Sequence, residues 1–351
     1  MLVGAAEGMT EGIDVRELMN EVFDGQALST ERARLVMGEL MDGNLSQMQA
    51  AALLAALRTR GETVAEIVGF AQAMRERAVG VEPRVEGPLL DTCGTGGTGF
   101  NTINISTTAV FVAAAGGARV AKHGNRAFTR RSADVLEVLG VDLEQTPERI
   151  ARSIEEVGVG FIFARNHHPS MKFVAPIRAD LQARTIFNSL GPLTNPAGAN
   201  RQLMGVFSPA LVEQLALVLA GLGVERALVV HGDGIDDFTV SGASSVAELL
   251  PDGSVTEYEV TPEELGLRTH PKEALQGGDP QENAAYTRRI LTGEEGGARR
   301  DIVLLNAGAA LYLADRAPDL AAGVELAAEL IDSGAALAKL EELVEFSRRP
   351  A

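Results

Sequence analysis

The stretch that most limits what this chain can become follows an apolar lead-in, Pro88-Leu-Leu90. It reads Asp91-Thr-Cys-Gly-Thr-Gly-Gly-Thr-Gly99, with Gly94, Gly96, Gly97 and Gly99 in close succession around Thr98. Asn101-Thr-Ile-Asn-Ile-Ser-Thr107 comes next and places the polar side chains of Thr102, Asn104, Ser106 and Thr107 around Ile105. The run Thr108-Ala-Val-Phe-Val-Ala-Ala-Ala115 then predicts a buried helix, with Ser106 or Thr107 as its N-cap. Glycines lack the Cβ that would stop backbone N–H groups converging on one anion, and a helix N-terminus adds partial positive charge. Strand, glycine turn and helix in this order imply an α/β fold with a phosphate-binding edge.

Two familiar phosphate loops fit this stretch poorly. Gly94, Gly96 and Gly99 match G-x-G-x-x-G, but the extended-looking Asn101 to Ile105 separates the glycines from the helix. The acidic residue expected about 20 positions on to hold a ribose is missing, and Arg119 is nearest. A Walker loop would end in Gly-Lys-Ser/Thr, and this one does not.

Residues 14 to 80 read as helices alone. Ser29 and the capping boxes Ser46/Gln49 and Thr63/Glu66 mark three starts after the amphipathic Asp14 to Phe23. Val81 to Gly87 reads as a linker. From residue 88, short β-branched runs such as Gly160 to Ala164 and Ala227 to Val230 alternate with helices, which argues for a largely parallel sheet. Thr146-Pro147 starts another helix. Val246 to Leu250 and Val255 to Val260, joined at Asp252-Gly253, predict an antiparallel hairpin. Asp301 to Leu313 and Leu320 to Phe346 read as terminal helices. The expected fold is therefore a small all-helical domain, residues 1–85, and a larger α/β domain, residues 86–351, with a mixed, mainly parallel sheet flanked by helices.

Charge sharpens the functional reading. The formal net charge is −17, which disfavours nucleic acid or an anionic membrane as partner. An anionic substrate then needs a local basic pocket. Lys122, His123, Arg126, Arg130 and Arg131 supply one just after the glycine loop, around Gly124-Asn125. Asp236-Asp237, after the strand Leu228-Val-Val230, has carboxylates that suit Mg²⁺, but taken alone reads better as an acidic turn. Cys93 is the only cysteine, so no internal disulfide forms, and it reads as a small apolar residue. No apolar run is long enough for a membrane span, Met1 to Glu11 lacks a signal-peptide pattern, and the cytoplasm is the expected location.

Five ordered motifs together resemble the anthranilate phosphoribosyltransferase family over nearly the whole chain. They are the glycine loop, Val120-Ala-Lys-His-Gly-Asn-Arg126 with Ser132-Ala-Asp134, His167-His-Pro-Ser-Met-Lys172, Arg184 to Pro196, and Val230-His-Gly-Asp-Gly-Ile-Asp-Asp237. The resemblance implies transfer of ribose 5-phosphate from 5-phosphoribosyl diphosphate to the amine of anthranilate. It implies that Gly94, Gly96, Gly97, Thr98, Thr102, Asn104, Ile105, Ser106, Thr107, Lys122, His123, Gly124, Asn125, Arg126 and Ser132 hold the diphosphate substrate. Gly94, Asn125, His168, Met171, Arg178 and Pro192 would line the anthranilate site, with His167 beside them. Ser106, Asp236 and Asp237 would reach Mg²⁺. No acid–base residue is implied, and His231 and His270 are left as structural. The family also places a segment near 188–205 back against the helical domain. A homodimer through that domain is expected, with the apolar run Ala50 to Leu57 as further motive.

Three departures from the pattern stand out. Thr98 replaces the usual Asp, Asp237 replaces Glu, and the loop Ala127 to Ser132 is about two residues shorter, with Arg130 and Arg131 at small-residue positions. The arginines are expected to substitute charge for lost loop contacts. A pyrimidine nucleoside phosphorylase is an alternative of similar architecture, although Asp91-Thr-Cys93 stands where its Lys-His-Ser would be. A non-catalytic nucleic-acid-binding relative is a second alternative, opposed by the acidic charge.

Overall fold

Four helices open the described chain, and each begins where a side chain takes up an otherwise unpaired backbone N–H. Asp14 caps α1 (Val15–Phe23), Ser29 caps α2 (Thr30–Met41), Ser46 caps α3 (Gln47–Arg60) and Thr63 caps α4 (Val64–Glu76). The last two caps are the reciprocal boxes expected from the sequence. The α2–α4 crossing is tight: a Cβ on Gly69 would lie 2.2 Å from the Thr30 carbonyl. Only glycine lets the two backbones approach so closely. The computed structural model describes residues 14–126 and 132–349.

The larger domain alternates strands and helices. In order come β1 (Leu89–Gly94), α5 (Ile105–Ala115), β2 (Arg119–Gly124), α6 (Ser132–Leu139), α7 (Pro147–Glu156) and β3 (Val159–Phe163). The short α8 (Ala164–His167), α9 (Met171–Leu181) and the short α10 (Phe187–Leu190) lead to β4 (Arg201–Gly205). Then follow α11 (Val212–Gly221), β5 (Arg226–Gly232), β6 (Ser244–Leu249) and β7 (Val255–Val260). The chain closes with α12 (Pro280–Leu291), α13 (Ala298–Leu313), α14 (Leu320–Asp332) and α15 (Ala335–Arg348).

Two expectations need correction. Helix α5 starts at Ile105 with Asn104 in the cap position, so Ser106 and Thr107 lie inside its first turn. The buried Asn104 carboxamide is drawn off by Asn283 and gives the helix no side-chain cap. The last predicted helix is two, because Gly334 takes φ +78° between α14 and α15. That left-handed geometry ends a helix.

The seven strands lie in the order β3-β2-β1-β4-β5-β6-β7. The pairs from β3 across to β5 are parallel, and β6 and β7 add the predicted antiparallel hairpin. Chain progression runs outward through β1, β2 and β3 on one side and β4, β5 and β6 on the other. The direction therefore switches between β1 and β4. In open parallel sheets, ligands bind at the carboxyl ends of the strands beside such a switch.

One face of the sheet is buried under α5 and α13, with Phe111, Val112, Leu305 and Leu311 almost wholly enclosed. The other face packs on α11 and on the helical domain in one continuous core. Val174, Ile177, Ile186, Phe187, Leu190 and Leu193, on and around α9 and α10, belong to that second core. The segment between β3 and β4 thus packs with the helical domain through apolar burial.

Candidate active site

The glycine loop leaves β1 at the switch point. Gly94 pairs in register with Gly205 of β4, and the Thr95 N–H donates to the Gly205 carbonyl at 2.9 Å. Both glycines are needed because the turn after β5 crosses these strand ends. A Cβ on Gly205 would lie 1.6 Å from the Asp236 carbonyl, and one on Gly94 would lie 2.2 Å from Asp236 Oδ2. Gly96, Gly97 and Gly99 all take positive φ. The Gly96 N–H donates to Asp236 Oδ2 at 2.7 Å. An anionic oxygen therefore already sits on one N–H of the turn, as expected of a backbone nest.

Beyond the glycines, the polar run is clamped from outside. Ile103 N–H donates to the Leu275 carbonyl, Gly277 N–H donates to the Asn101 carbonyl, and Asn283 Nδ2 donates to Asn104 Oδ1 at 2.9 Å. Sequence reading gave no role to the segment 272–283. Its signal was Gly277-Gly278 ahead of the cap Asp279: a Cβ on Gly277 would lie 2.4 Å from the Thr102 carbonyl.

β2 brings the basic residues to the same edge. Lys122 is buried; its Nζ donates to the Thr92 carbonyl and stands 3.3 Å from Ser106 Oγ. Asp91, fully buried within β1, accepts the His123 N–H at 3.2 Å. Burial raises the Asp91 carboxyl pKa, and Lys122 opposes that rise. A carboxylate inside an apolar strand was the sequence signal for Asp91, which received no role there. Cys93 Sγ lies 3.5 Å from Asp91 Oδ2 and 3.3 Å from Gln202 Nε2. Burial, then the Asp91 charge, pushes its thiol well up, which fits an inert residue.

His123 and His168 face each other with Nε2 atoms 3.3 Å apart. Burial depresses both, His168 to about 4, with the neighbouring His167 adding to the effect. Two neutral rings at that distance need one donor and one acceptor. His168 Nδ1 is buried without a partner among the described residues. His167 instead holds the Val79 carbonyl at 2.7 Å, at the entry to the linker.

Not every predicted residue converges. Arg126 turns to α6, pairing with Asp134 Oδ1 at 2.5 Å and Glu137 Oε1 at 2.6 Å. Asn125 is exposed and accepts the Arg126 N–H at 2.8 Å. Ser132 begins α6, and its Cβ stands 3.8 Å from where a Cβ on Gly124 would be. Arg130 and Arg131 lie outside the described residues. Arg178 is half-buried on α9, 5.8 Å above the Phe187 ring, and among the described residues no carboxylate stands within ion-pair distance. Burial lowers its pKa. Met171 packs against the core shared with the helical domain, and Pro192 is buried, its carbonyl accepting from Gln202 Nε2 at 2.6 Å. His231 and His270 bond to the Val206 carbonyl and to Asp301 respectively.

Asp236 and Asp237 are buried beside β1, and the first reaches the glycine turn. Their hard oxygens, brought to the strand ends by Asp236 packing on Gly94 and Gly205 where a Cβ would collide with it, suit Mg²⁺. Thr102 Oγ1, Thr107 Oγ1 and Asn101 Oδ1 are buried with no partner among the described residues. Buried polar atoms are ordinarily satisfied, so this concentration along one strand edge fits a polar ligand.

Comparison with known proteins agrees with this geometry. Residues 16–78 match the glycosyl transferase family helical bundle domain, and residues 86–337 match the glycosyl transferase family a/b domain. An anthranilate phosphoribosyltransferase of Rubrobacter xylanophilus is 54% identical, covering 96% of this chain and 98% of that protein. The crystal structure of the Thermus thermophilus enzyme superposes with TM-score 0.90 at 51% identity, over 95% of this chain and 99% of that one. The Saccharomyces cerevisiae enzyme in complex with PRPP (5-phosphoribosyl diphosphate) and Mg superposes with TM-score 0.85 at 26% identity, over 95% and 97%. The chain belongs to the anthranilate phosphoribosyltransferase family.

Proposed function

We propose how the residues of this chain divide the labour of phosphoribosyl transfer to anthranilate, the activity of its family. 5-Phosphoribosyl diphosphate lies along the carboxyl edge of β1 and β2. Its phosphates meet the backbone of Gly94, Gly96, Gly97 and Thr98, the polar side chains of Thr102, Asn104, Ser106 and Thr107 around Ile105, and the stretch Lys122 to Arg126 with Ser132. Anthranilate lies between this edge and α9, near Gly94, Asn125, His168, Met171 and Pro192, with its carboxylate on Arg178. A planar guanidinium offers two donors to a carboxylate, and Arg178 has no competing ion pair among the described residues.

The observation that carries this reading is the row of buried, unpartnered acceptors and hydroxyls beside a buried lysine at the switch point. In the reaction the anthranilate nitrogen bonds to the ribose anomeric carbon, and the bond from that carbon to pyrophosphate breaks. The nitrogen then loses a proton. An aromatic amine is neutral near pH 7, so the chain positions it rather than deprotonating it first. Preorganised donors along the loop meet the negative charge gathering on pyrophosphate. Asp236, Asp237 and Ser106 would hold Mg²⁺, which neutralises phosphate charge when bound. The yeast enzyme, in complex with PRPP and Mg in one structure and with 4-fluoroanthranilate in another, supports these ligand classes.

We further propose a boundary between the domains near residues 85–86 and a homodimer through the helical domain. The larger side chains of the run Ala50 to Leu57 are buried inward, so that run no longer motivates an interface. Phe23, 51% exposed, and Met48, 83% exposed, are the apolar surface left on α1 and α3. A light-scattering mass near that of one 36.9 kDa chain would refute the dimer. Among the described residues no helix is long and apolar enough to cross a membrane, and we place the enzyme in the cytoplasm. The family match speaks against both the phosphorylase and the nucleic-acid-binding alternatives.

Product analysis after mixing the protein with 5-phosphoribosyl diphosphate, Mg²⁺ and anthranilate tests the reading. N-(5′-phosphoribosyl)anthranilate and pyrophosphate in equal amounts are expected. Pyrophosphate release that ignores anthranilate would overturn it.

A further inference from the structure

We propose that Arg184 is a positioning residue for the glycine-rich loop: laid on the Phe207 ring, it grips the Gly97 carbonyl and thereby turns the Thr98 N–H into the diphosphate site. The inference deepens the reading above and rests on it, since it takes the diphosphate to lie on this loop.

The Arg184 guanidinium stands 4.1 Å from the centroid of Phe207 and donates through Nη2 to the Gly97 carbonyl. Phe207 is itself fixed, because its N–H donates to Thr95 Oγ1 at 3.0 Å, and Thr95 N–H reaches Gly205 at 2.9 Å. The guanidinium is therefore seated on a ring just after β4, which is tied to Thr95 just after β1 and not to the loop tip. Gly97 has φ +76° and Gly99 has φ +80°, with Thr98 between them. The Gly97–Thr98 peptide turns easily at its Gly97 end, where no Cβ limits the backbone, while Thr98 restrains its other end. Arg184 holds this unit by its carbonyl. The C=O and N–H of a trans peptide point in opposite directions, so holding the Gly97 carbonyl directs the Thr98 N–H away from Arg184.

The loop's donors divide accordingly. The Gly96 N–H is held by Asp236 at 2.7 Å. Among the described residues, the N–H groups of Gly97, Thr98 and Gly99 have no protein acceptor. A cation on the carbonyl also polarises the peptide and strengthens its N–H as a donor to an anion. Gly97 cannot take a side chain without pressing on this device, since a Cβ there would lie 3.2 Å from Arg184 Nη2.

The test measures calorimetric binding of 5-phosphoribosyl diphosphate with Mg²⁺, and KM for both substrates. It compares the full-length protein with Arg184→Ala, Arg184→Lys, Phe207→Leu and Lys122→Met. Arg184→Ala should weaken diphosphate binding about tenfold, the loss of one charge-assisted hydrogen bond, while KM for anthranilate moves less than about twofold. Arg184→Lys should recover part of the loss, since an ammonium donates but does not stack as a plane. Phe207→Leu should act in the same direction and add little to Arg184→Ala. Unchanged binding in Lys122→Met would sink the underlying placement of the diphosphate. Weakened binding in Lys122→Met with unchanged binding in a folded Arg184→Ala would sink the proposal alone. So would an equal rise of KM for both substrates. If Arg184→Ala does not fold, Arg184→Lys and Phe207→Leu decide, and two unaltered diphosphate affinities refute it.

Discussion

The helical domain and the carboxyl edge of the sheet both bury charge, and they treat it in opposite ways. Glu66 of α4 is wholly buried, and its carboxylate is surrounded by donors. Arg60 Nη2 lies 2.6 Å away, Thr63 donates through N and Oγ1 at 2.9 and 3.0 Å, and Leu28 N–H donates at 2.9 Å. At the sheet edge, Asp91 and Lys122 are just as buried, yet Thr102, Thr107 and His168 keep polar atoms with no partner among the described residues. A buried charge with its full set of hydrogen bonds contributes to one rigid structure. An edge with unmet polar groups is less stable than it could be, and that deficit is where a ligand gains its binding energy. Mutations at the two places should therefore separate stability from substrate affinity.

The largest effect should come from the helical domain. Glu66→Ala leaves Arg60 and the Leu28 N–H without their acceptor, and breaking a buried ion pair this way costs about 3–5 kcal/mol. Denaturant unfolding should show the loss, while protein still folded at low temperature keeps its KM values. A stability change below about 1 kcal/mol would mean that water replaces the carboxylate and that the contrast is weaker than drawn.

Arg178 lies on the other side of the comparison. Arg178→Ala should raise KM for anthranilate about ten- to a hundredfold, or about 1.5–3 kcal/mol, with little change for the diphosphate substrate. Unfolding should be nearly unaffected, because the side chain has no ion pair to lose among the described residues. Equal effects on both substrates would remove Arg178 from the carboxylate site.

The histidine pair gives the edge a pH signature. His168 is depressed to about 4 in the folded chain, against an ordinary value near 6.5. The unfolded chain therefore binds the proton first as pH falls. The stability contributed by the neutral ring is whole above about pH 6.5 and is lost progressively toward pH 4. Between about pH 7 and pH 5 the loss from this ring should be about 2 kcal/mol. His123, lowered by the same burial, acts in the same direction. Denaturant midpoints across this range should slope less steeply in His168→Gln, and equal slopes would show that His168 titrates normally in the folded chain.

How much of this could be read in the sequence depended on how local the cause was. Helix starts were legible because a cap and its N–H lie within three residues, as at Ser46 with Gln49 and Thr63 with Glu66. The hairpin was legible from Asp252-Gly253, where Gly253 takes φ +83°. The start of α5 was misjudged because Asn283, far along the chain, takes the Asn104 side chain. Arg126 is paired in this structure with Asp134 and Glu137 on one face of α6, partners it would exchange to reach a phosphate. Arg184 stood inside a recognised motif, yet its grip on Gly97 depends on a ring supplied after β4. Contacts made far along the chain, which the sequence does not display, decided the cases of Asn104 and Arg184.

The smallest expected effect concerns Thr98, where the resemblance implied Asp. The departure at Thr98 is the one that the resemblance implied, and in the folded chain Thr98 Oγ1 lies 3.4 Å from the Phe100 carbonyl, in a turn whose Gly96 N–H already holds the Asp236 carboxylate. A second carboxylate at position 98 would place another negative charge beside the incoming diphosphate. Like charges repel more strongly in a cleft with little water, and a bridging cation relieves the repulsion. Threonine removes that charge and keeps a hydroxyl able to donate to phosphate oxygen. The protein should therefore bind 5-phosphoribosyl diphosphate with weak dependence on free Mg²⁺. Thr98→Asp should steepen that dependence and raise KM by about two- to fivefold when Mg²⁺ is scarce, the size of a partly solvated charge pair of about 0.5–1 kcal/mol. KM measured across a Mg²⁺ titration in both proteins decides the matter. Superimposable curves would show that the loop tip does not sense the pyrophosphate charge, and that the unpartnered groups deeper along the edge carry the contrast with the helical domain alone.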